Sequence, residues 1–296
     1  MSVAKQFPDT DPDARSASIL QELRGDTEVR VQPVPRALAR IVPTGGRGIA
    51  RDRLQLWSLY GRRFRQTVSD MARALPEVRS PQGRRPDDRL AVLADLAAVH
   101  LHLAEEWAWL DAALLNGTPG AHLPLARCVA SGLRRLPAYR GPAIVRTSMS
   151  ASLTDWYREN RVVVDQGFWS ATASAVAVSE GGPGFLVWSL TGRRTGAVDP
   201  YTPERLVFLP GTRFKVLQVF EEQRPVVLMR EMFPQEPYEH RRADSGSGHG
   251  EWLDESTVAE MHRAAVELHR AAAGPSVRPV ELMGPRGRPP GLIVAK

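Results

Sequence analysis

Three side chains in the middle of this chain have the types and the order to work on a phosphorylated sugar. Arg146 ends the apolar run Pro142-Ala-Ile-Val, Ser170 lies within Gly167-Phe-Trp-Ser-Ala-Thr172, and Glu204 stands just ahead of Leu206-Val-Phe-Leu-Pro-Gly-Thr-Arg-Phe214. A guanidinium clamps a diphosphate, a hydroxyl orients a ribose, and a carboxylate stabilises the positive charge of an oxocarbenium-like carbon.

The elements around them change character at Gly141. Before it, Leu54, Trp57, Leu59, Tyr60, Phe64, Val68, Met71 and Leu75 recur at the three-and-four spacing of an amphipathic helix running from Arg53 to Leu75. A second periodic segment opens at Asp87-Asp88, where acidic groups suit the positive end of a helix dipole, and runs through Leu114 to Asn116-Gly117. A third, Leu123 to Leu136, is stopped by Pro137. After Gly141 come short β-type runs: Ala143-Ile-Val, Arg161 to Val164, Phe185 to Leu190, Leu206 to Leu209, Phe214 to Phe220 and Val226 to Met229. Leu153 to Glu159 reads as a helical turn between the first two of these runs, and an Ala-rich helix is expected from about Ser256 to Ala272, with Met261, Val266 and Leu268 packing on the main domain. Helices first and strands afterwards give an α+β fold.

Leu123 to Glu231, about a third of the chain, resembles the arginine-specific mono-ADP-ribosyltransferase family of the Arg-Ser-Glu type. Leu136-Pro-Ala-Tyr-Arg-Gly141 is similar to the family's turn, and Ala143-Ile-Val-Arg146 to its first strand, which ends in the NAD-binding arginine. The resemblance implies Arg146 for that role, with Arg140 as the alternative; Thr147 stands where the family has glycine. It implies Ser170 in the NAD pocket and Phe168 as the apolar wall for nicotinamide. Leu206 to Phe214 resembles the half of the third motif that follows a Glu-x-Glu pair. Counting back from Pro210-Gly211 puts Arg205 at the catalytic glutamate's place and Pro203 at its partner's, leaving Glu204 one residue out of step. Strand side chains alternate faces, so Glu204 reaches the pocket only if a bulge restores it. Tyr201 and Asp199 fall where the family recognises its acceptor, although Asp199-Pro200 is also plain turn chemistry.

The resemblance implies N-terminal helices packed on a two-sheet ADP-ribosyltransferase core with NAD, as substrate, in the cleft. It implies transfer of ADP-ribose from NAD to a side chain, arginine above others, of a protein acceptor the sequence does not identify. The alternative is an inactive descendant that binds NAD or a protein. The expected organisation is a flexible leader (1–48), an ADP-ribosyltransferase-like domain (49–233, helical over 49–138 and β over 139–233), then a hinge, C-terminal helix and disordered tail (234–296).

Composition excludes more than it identifies. Hydrophobic residues make up 43%, enough for a core. Cys128 is the single cysteine, so neither an intrachain disulfide nor a cysteine-based zinc site is available. His100 and His102 are two apart on a helix and cannot face one metal, and His240 and His249 fall in an expected loop, so no metal is expected. Gly181-Gly-Pro-Gly184 lacks the lysine of a phosphate loop. No apolar run reaches the roughly 18 residues of a membrane span, and Met1 to Pro8 lacks an apolar signal core; no membrane association and a cytoplasmic location are the expectation. The net charge of +6 comes from arginines spread along the chain without an aromatic-interleaved basic block, which argues against a nucleic-acid partner.

Overall fold

Apolar residues at helical spacing build a first layer of four helices: α1 (Gly48–Ala74), α2 (Pro86–Leu103), α3 (Ala108–Leu115) and α4 (Leu123–Leu133). This is a computed structural model that describes residues 29–32, 42, 48–75, 86–104, 108–147, 151–173, 184–220, 225–233, 236, 254–264 and 288–294. Helix α2 is buried without a break from Val92 to Val99, because α1 and α4 cover it on one side and Phe168, Val198 and Val207 on the other. Gly132 lets α4 come this close: a Cβ there would lie 2.3 Å from the Asp95 carbonyl oxygen. The fully buried Asp95 carboxylate ties three helices, accepting from Arg53 Nε (2.8 Å) and Nη2 (2.7 Å), Ser131 Oγ (2.7 Å) and Arg135 Nε (3.3 Å).

The helices differ from expectation at two places. Gly61, at φ 47° and ψ −119°, interrupts α1, a conformation open to glycine. The long segment from Asp87 to Leu114 is two helices; α2 ends at Leu103, whose otherwise orphaned carbonyl accepts from the Arg205 guanidinium at 3.1 Å.

The strands are β1 (Val29–Val31), β2 (Gly141–Val145), β3 (Val162–Val164), β4 (Trp169–Thr172), β5 (Phe185–Ser189), β6 (Arg193–Arg194), β7 (Arg205–Phe208), β8 (Arg213–Phe220), β9 (Val226–Glu231) and β10 (Leu292–Val294). Helix α5 (Ala151–Trp156) leads to β3, and α6 spans residues 254–264. Eight strands form one mixed sheet in the order β3-β8-β9-β5-β2-β4-β7-β6, parallel at β5·β9 and antiparallel elsewhere. The expected pair of sheets is therefore one sheet, continuous through a short β2·β4 pairing that registers Ile144 with Thr172. It folds over on itself: Phe208 of β7 and Phe214 of β8, far apart in strand order, meet at 5.1 Å between ring centres, and Trp169 packs on Phe214 at 4.9 Å. Alternation sends Ala143, Val145, Trp169, Ala171, Leu206 and Phe208 into this concave core. The other residues of these strands point to the outer face, which α2 and α4 cover at β4 and β7, and α6 covers through Met261 on Ile144, Leu186 and Leu228.

Two terminal segments depart from the leader and tail expectations. Strands β1 and β10 pair antiparallel, Val29 with Val294 and Val31 with Leu292. Gln32 is buried, its Nε2 donating to Leu292 O (3.1 Å) while its Oε1 accepts from Gln166 N (3.1 Å). Leu292, 3% exposed, enters the concave core, and Tyr157 Oη donates to Pro290 O at 2.7 Å. Residues 1–28, 265–287 and most of the expected hinge, including Val266 and Leu268, lie outside the described residues.

Candidate functional site

Registers decide which side chains share the outer face at the β2/β4/β7 boundary. Ser170 pairs with Val207 and Thr172 with Arg205, so Ser170, Thr172 and Arg205 stand on one side, with Val207 in the helix-facing core. Ile144 of β2 pairs with Thr172, and Arg146 follows the end of β2 two residues on. Arg146 is half-buried, and its Nε and Nη2 are buried without a hydrogen-bond partner among the described residues. Burial alone lowers its pKa from the ordinary arginine value. Arg140, the alternative, is exposed and lies beyond the opposite end of β2. Thr147 packs toward Gly184, where a Cβ would lie 2.6 Å from Thr147 Cγ2; the glycine absent at 147 is matched by one across the strand pair.

Phe168 is 5% exposed and serves the helix interface. Its ring lies 4.8 Å from that of His102, and its N–H donates to Asp111 Oδ1 at 3.1 Å. His102, itself buried, sits 3.7 Å from Asp111 through Nε2, and burial pulls its pKa below the usual histidine value against the pull of Asp111. His100 meets the Val198 carbonyl at 2.7 Å. Both histidines are parts of the packing, and no group of three or more potential metal ligands occurs among the described residues.

At the carboxylate position stands Arg205, 8% exposed, turned under α2 to donate to Leu103 O (3.1 Å) and to pair with Asp199 Oδ2 (3.2 Å). Asp199 also accepts from Thr202 Oγ1, closing the turn before β7. Glu204 precedes the strand, is exposed, and faces Arg194 at 3.7 Å; Arg194 in turn stacks on Tyr139 at 4.6 Å. No bulge interrupts β4·β7, so Glu204 keeps the parity of Leu206 rather than that of Ser170's partner. Tyr201 is 90% exposed on the same turn. Ser170 and Arg205 are thus brought onto one face, whereas Glu204 meets solvent and Arg194 and Phe168 is packed in the helix interface. Thr172 joins that face unannounced; its two-residue spacing from Ser170 was the signal. A hollow lined by Pro142, Trp188, Glu260, Arg263 and Ala264 lies elsewhere, between α6 and strands β2 and β5.

No family model matches the chain, and no curated protein does. Solved structures do match. The type III effector XopAI from Xanthomonas axonopodis pv. citri aligns over 77% of this chain and 95% of its own, with TM-score 0.50 and 18% identity. Exoenzyme S from Pseudomonas aeruginosa, in complex with human 14-3-3 protein beta and bound to carba-NAD, aligns over 70% and 98%, with TM-score 0.48 and 14% identity. The ADP-ribosyltransferase HopU1 of Pseudomonas syringae pv. tomato DC3000 aligns over 75% and 98%, with TM-score 0.43 and 11% identity. The chain has an α+β fold like that of XopAI, and likeness at this identity is a likeness of fold.

Proposed function

We propose that the chain binds NAD at the β2/β4 boundary and does not transfer its ADP-ribose. The observation that carries the reading is the guanidinium of Arg146, half-buried with two nitrogens lacking an acceptor among the described residues. A desolvated cation without a partner is costly unless a ligand anion completes it, and a pyrophosphate is such an anion. Ser170 then orients the adjoining ribose.

Transfer needs a carboxylate at the anomeric carbon, and the two acids flanking β7 are committed elsewhere. Glu204 meets solvent and Arg194, and Asp199 is held by Arg205 and Thr202. A guanidinium at Arg205 opposes a second cation by about 4 kcal/mol at 4 Å and an effective dielectric of 20, before Asp199 offsets it. Exposed Tyr201 is available to a protein partner rather than to an acceptor arginine.

Calorimetric titration with NAD tests the reading: the wild type binds and Arg146→Ala does not. Incubation with labelled NAD and agmatine or an arginine-rich acceptor leaves both unlabelled. Label transfer by the wild type that disappears in Glu204→Ala would overturn the inactive reading and restore transferase activity. Placing a carboxylate back on the face, as Arg205→Glu with Asp199→Asn, is expected to give NAD cleavage above the wild-type level.

A further inference from the structure

The turn that delivers Ser170 onto β4 is held from both sides by acids, and the cation serving them comes from the far end of the chain. Asp165 is fully buried. Its backbone is fixed by Asp165 N donating to Thr212 O (3.0 Å) and by Gly211 N donating to its carbonyl (2.6 Å). Its carboxylate accepts from Gly167 N (2.9 Å) and from both terminal nitrogens of Arg288, Nη1 at 2.6 Å. Burial by itself would lower the Arg288 pKa, but the Asp165 carboxylate outweighs it and Asp111 adds to the pull. From the helix layer Asp111 holds the next amide, Phe168 N–H, and burial pushes its carboxyl above the usual aspartate range while His102 and Arg288 draw it back.

Arg288 is seated, not loosely apposed. Trp169 Nε1 donates to its carbonyl at 2.9 Å, and a Cβ on Gly167 would come within 2.7 Å of Nη2, so the bare backbone at 167 makes room for the guanidinium. Pro290, Gly291 and Leu292 continue the contact along Tyr157, Trp156 and Val163 and into the core, and β1 and Gln32 clasp the segment from outside.

We propose that residues 288–294 form a strap whose Arg288 is a positioning residue for the candidate site: by pairing with Asp165 through both terminal nitrogens it fixes the Gly167-Phe168 turn, and through it Ser170. For its effect on ligand affinity this rests on the NAD reading above; for its effect on the turn it does not.

The full-length chain is compared as wild type, Arg288→Gln, Arg288→Lys and Asp95→Asn, by amide exchange and by NAD titration. Arg288→Gln is expected to speed exchange across residues 165–170 by about tenfold or more, with the helical layer unchanged. It weakens NAD by about tenfold, as misplacement of a binding group does. Arg288→Lys keeps the charge without the fork and recovers part of both effects; should the glutamine variant fail to fold, the lysine variant's intermediate loss carries the test. Asp95→Asn lowers the melting temperature through the distant helical layer and leaves NAD affinity within about twofold, since well-separated sites act independently. Unchanged exchange over 165–170 overturns the strap's role, as does an Asp95→Asn loss of affinity equal to that of Arg288→Gln. A wild type that binds no NAD sinks the binding reading instead, and the exchange result then decides the strap alone.

Discussion

Buried arginine is handled in opposite ways at the entry of β4 and at the end of its neighbour β2. At the β4 entry Arg288 meets Asp165 through both terminal nitrogens, with Asp111 close by, and every partner is supplied by the protein. Just past the end of the neighbouring β2, Arg146 is half-buried with Nε and Nη2 unmatched among the described residues. The contrast holds against the other packed guanidiniums: Arg53 has Asp95, Arg205 has Asp199, and Arg230 has Glu236 and Asp254. Arg193, whose Nε is unmatched among the described residues, donates to the Leu136 carbonyl instead. Under the proposed reading a ligand anion completes Arg146.

The largest break in that comparison is Asp165→Ala. It strands Arg288 in a site built for an ion pair and is expected to cost about 3–5 kcal/mol of stability by urea denaturation. Arg146→Met sharpens the other side. Without ligand it should leave stability unchanged or raise it, because Nε and Nη2 make no hydrogen bond among the described residues, while NAD affinity falls by the roughly 1.5–3 kcal/mol of a charge-assisted bond in calorimetry. A drop in ligand-free stability comparable to that of Asp165→Ala would show that Arg146 is structural after all.

His102 gives a smaller, pH-dependent effect. Its pKa is depressed in the folded state, so the unfolded chain binds the proton more readily, and the stability this represents is present above the unfolded value of about 6.5 and is lost as pH falls toward the folded value. His102→Gln should flatten stability against pH just below 6.5, measured by melting temperature across a buffer series. The smallest effect is expected at Glu204. Its solvent-facing pair with Arg194 is worth about 0–0.5 kcal/mol, so Glu204→Ala should alter neither melting nor NAD affinity.

Much of the scaffold was legible because its signals are local. The strands from Ala143 to Met229 follow runs of β-branched and aromatic residues, and α4 stops ahead of Pro137. What was missed depends on partners distant in the chain. The break between α2 and α3 is sealed by Arg205, 102 residues beyond Leu103, which no periodicity contains. Val29–Val31 and Leu292–Val294 were read as leader and tail, because each is too short to stand without the other. At the site, the absence of a glutamate at 205 could be counted from Pro210-Gly211, whereas the burial of Phe168 against His102 could not.

By itself the sequence determined the order and kind of the elements, the Arg146, Ser170 and Pro-Gly-Thr landmarks, and the arginine standing where a carboxylate was expected. Hydrophobic period and turn chemistry are properties of neighbouring residues, so they survive without coordinates. Only the tertiary structure decided that Arg205 turns under α2, that Glu204 faces solvent, and that Arg288 reaches Asp165 across 123 residues. Which acid neutralises a given arginine is settled by the packing that removes both from water, and that packing exists only in the folded chain.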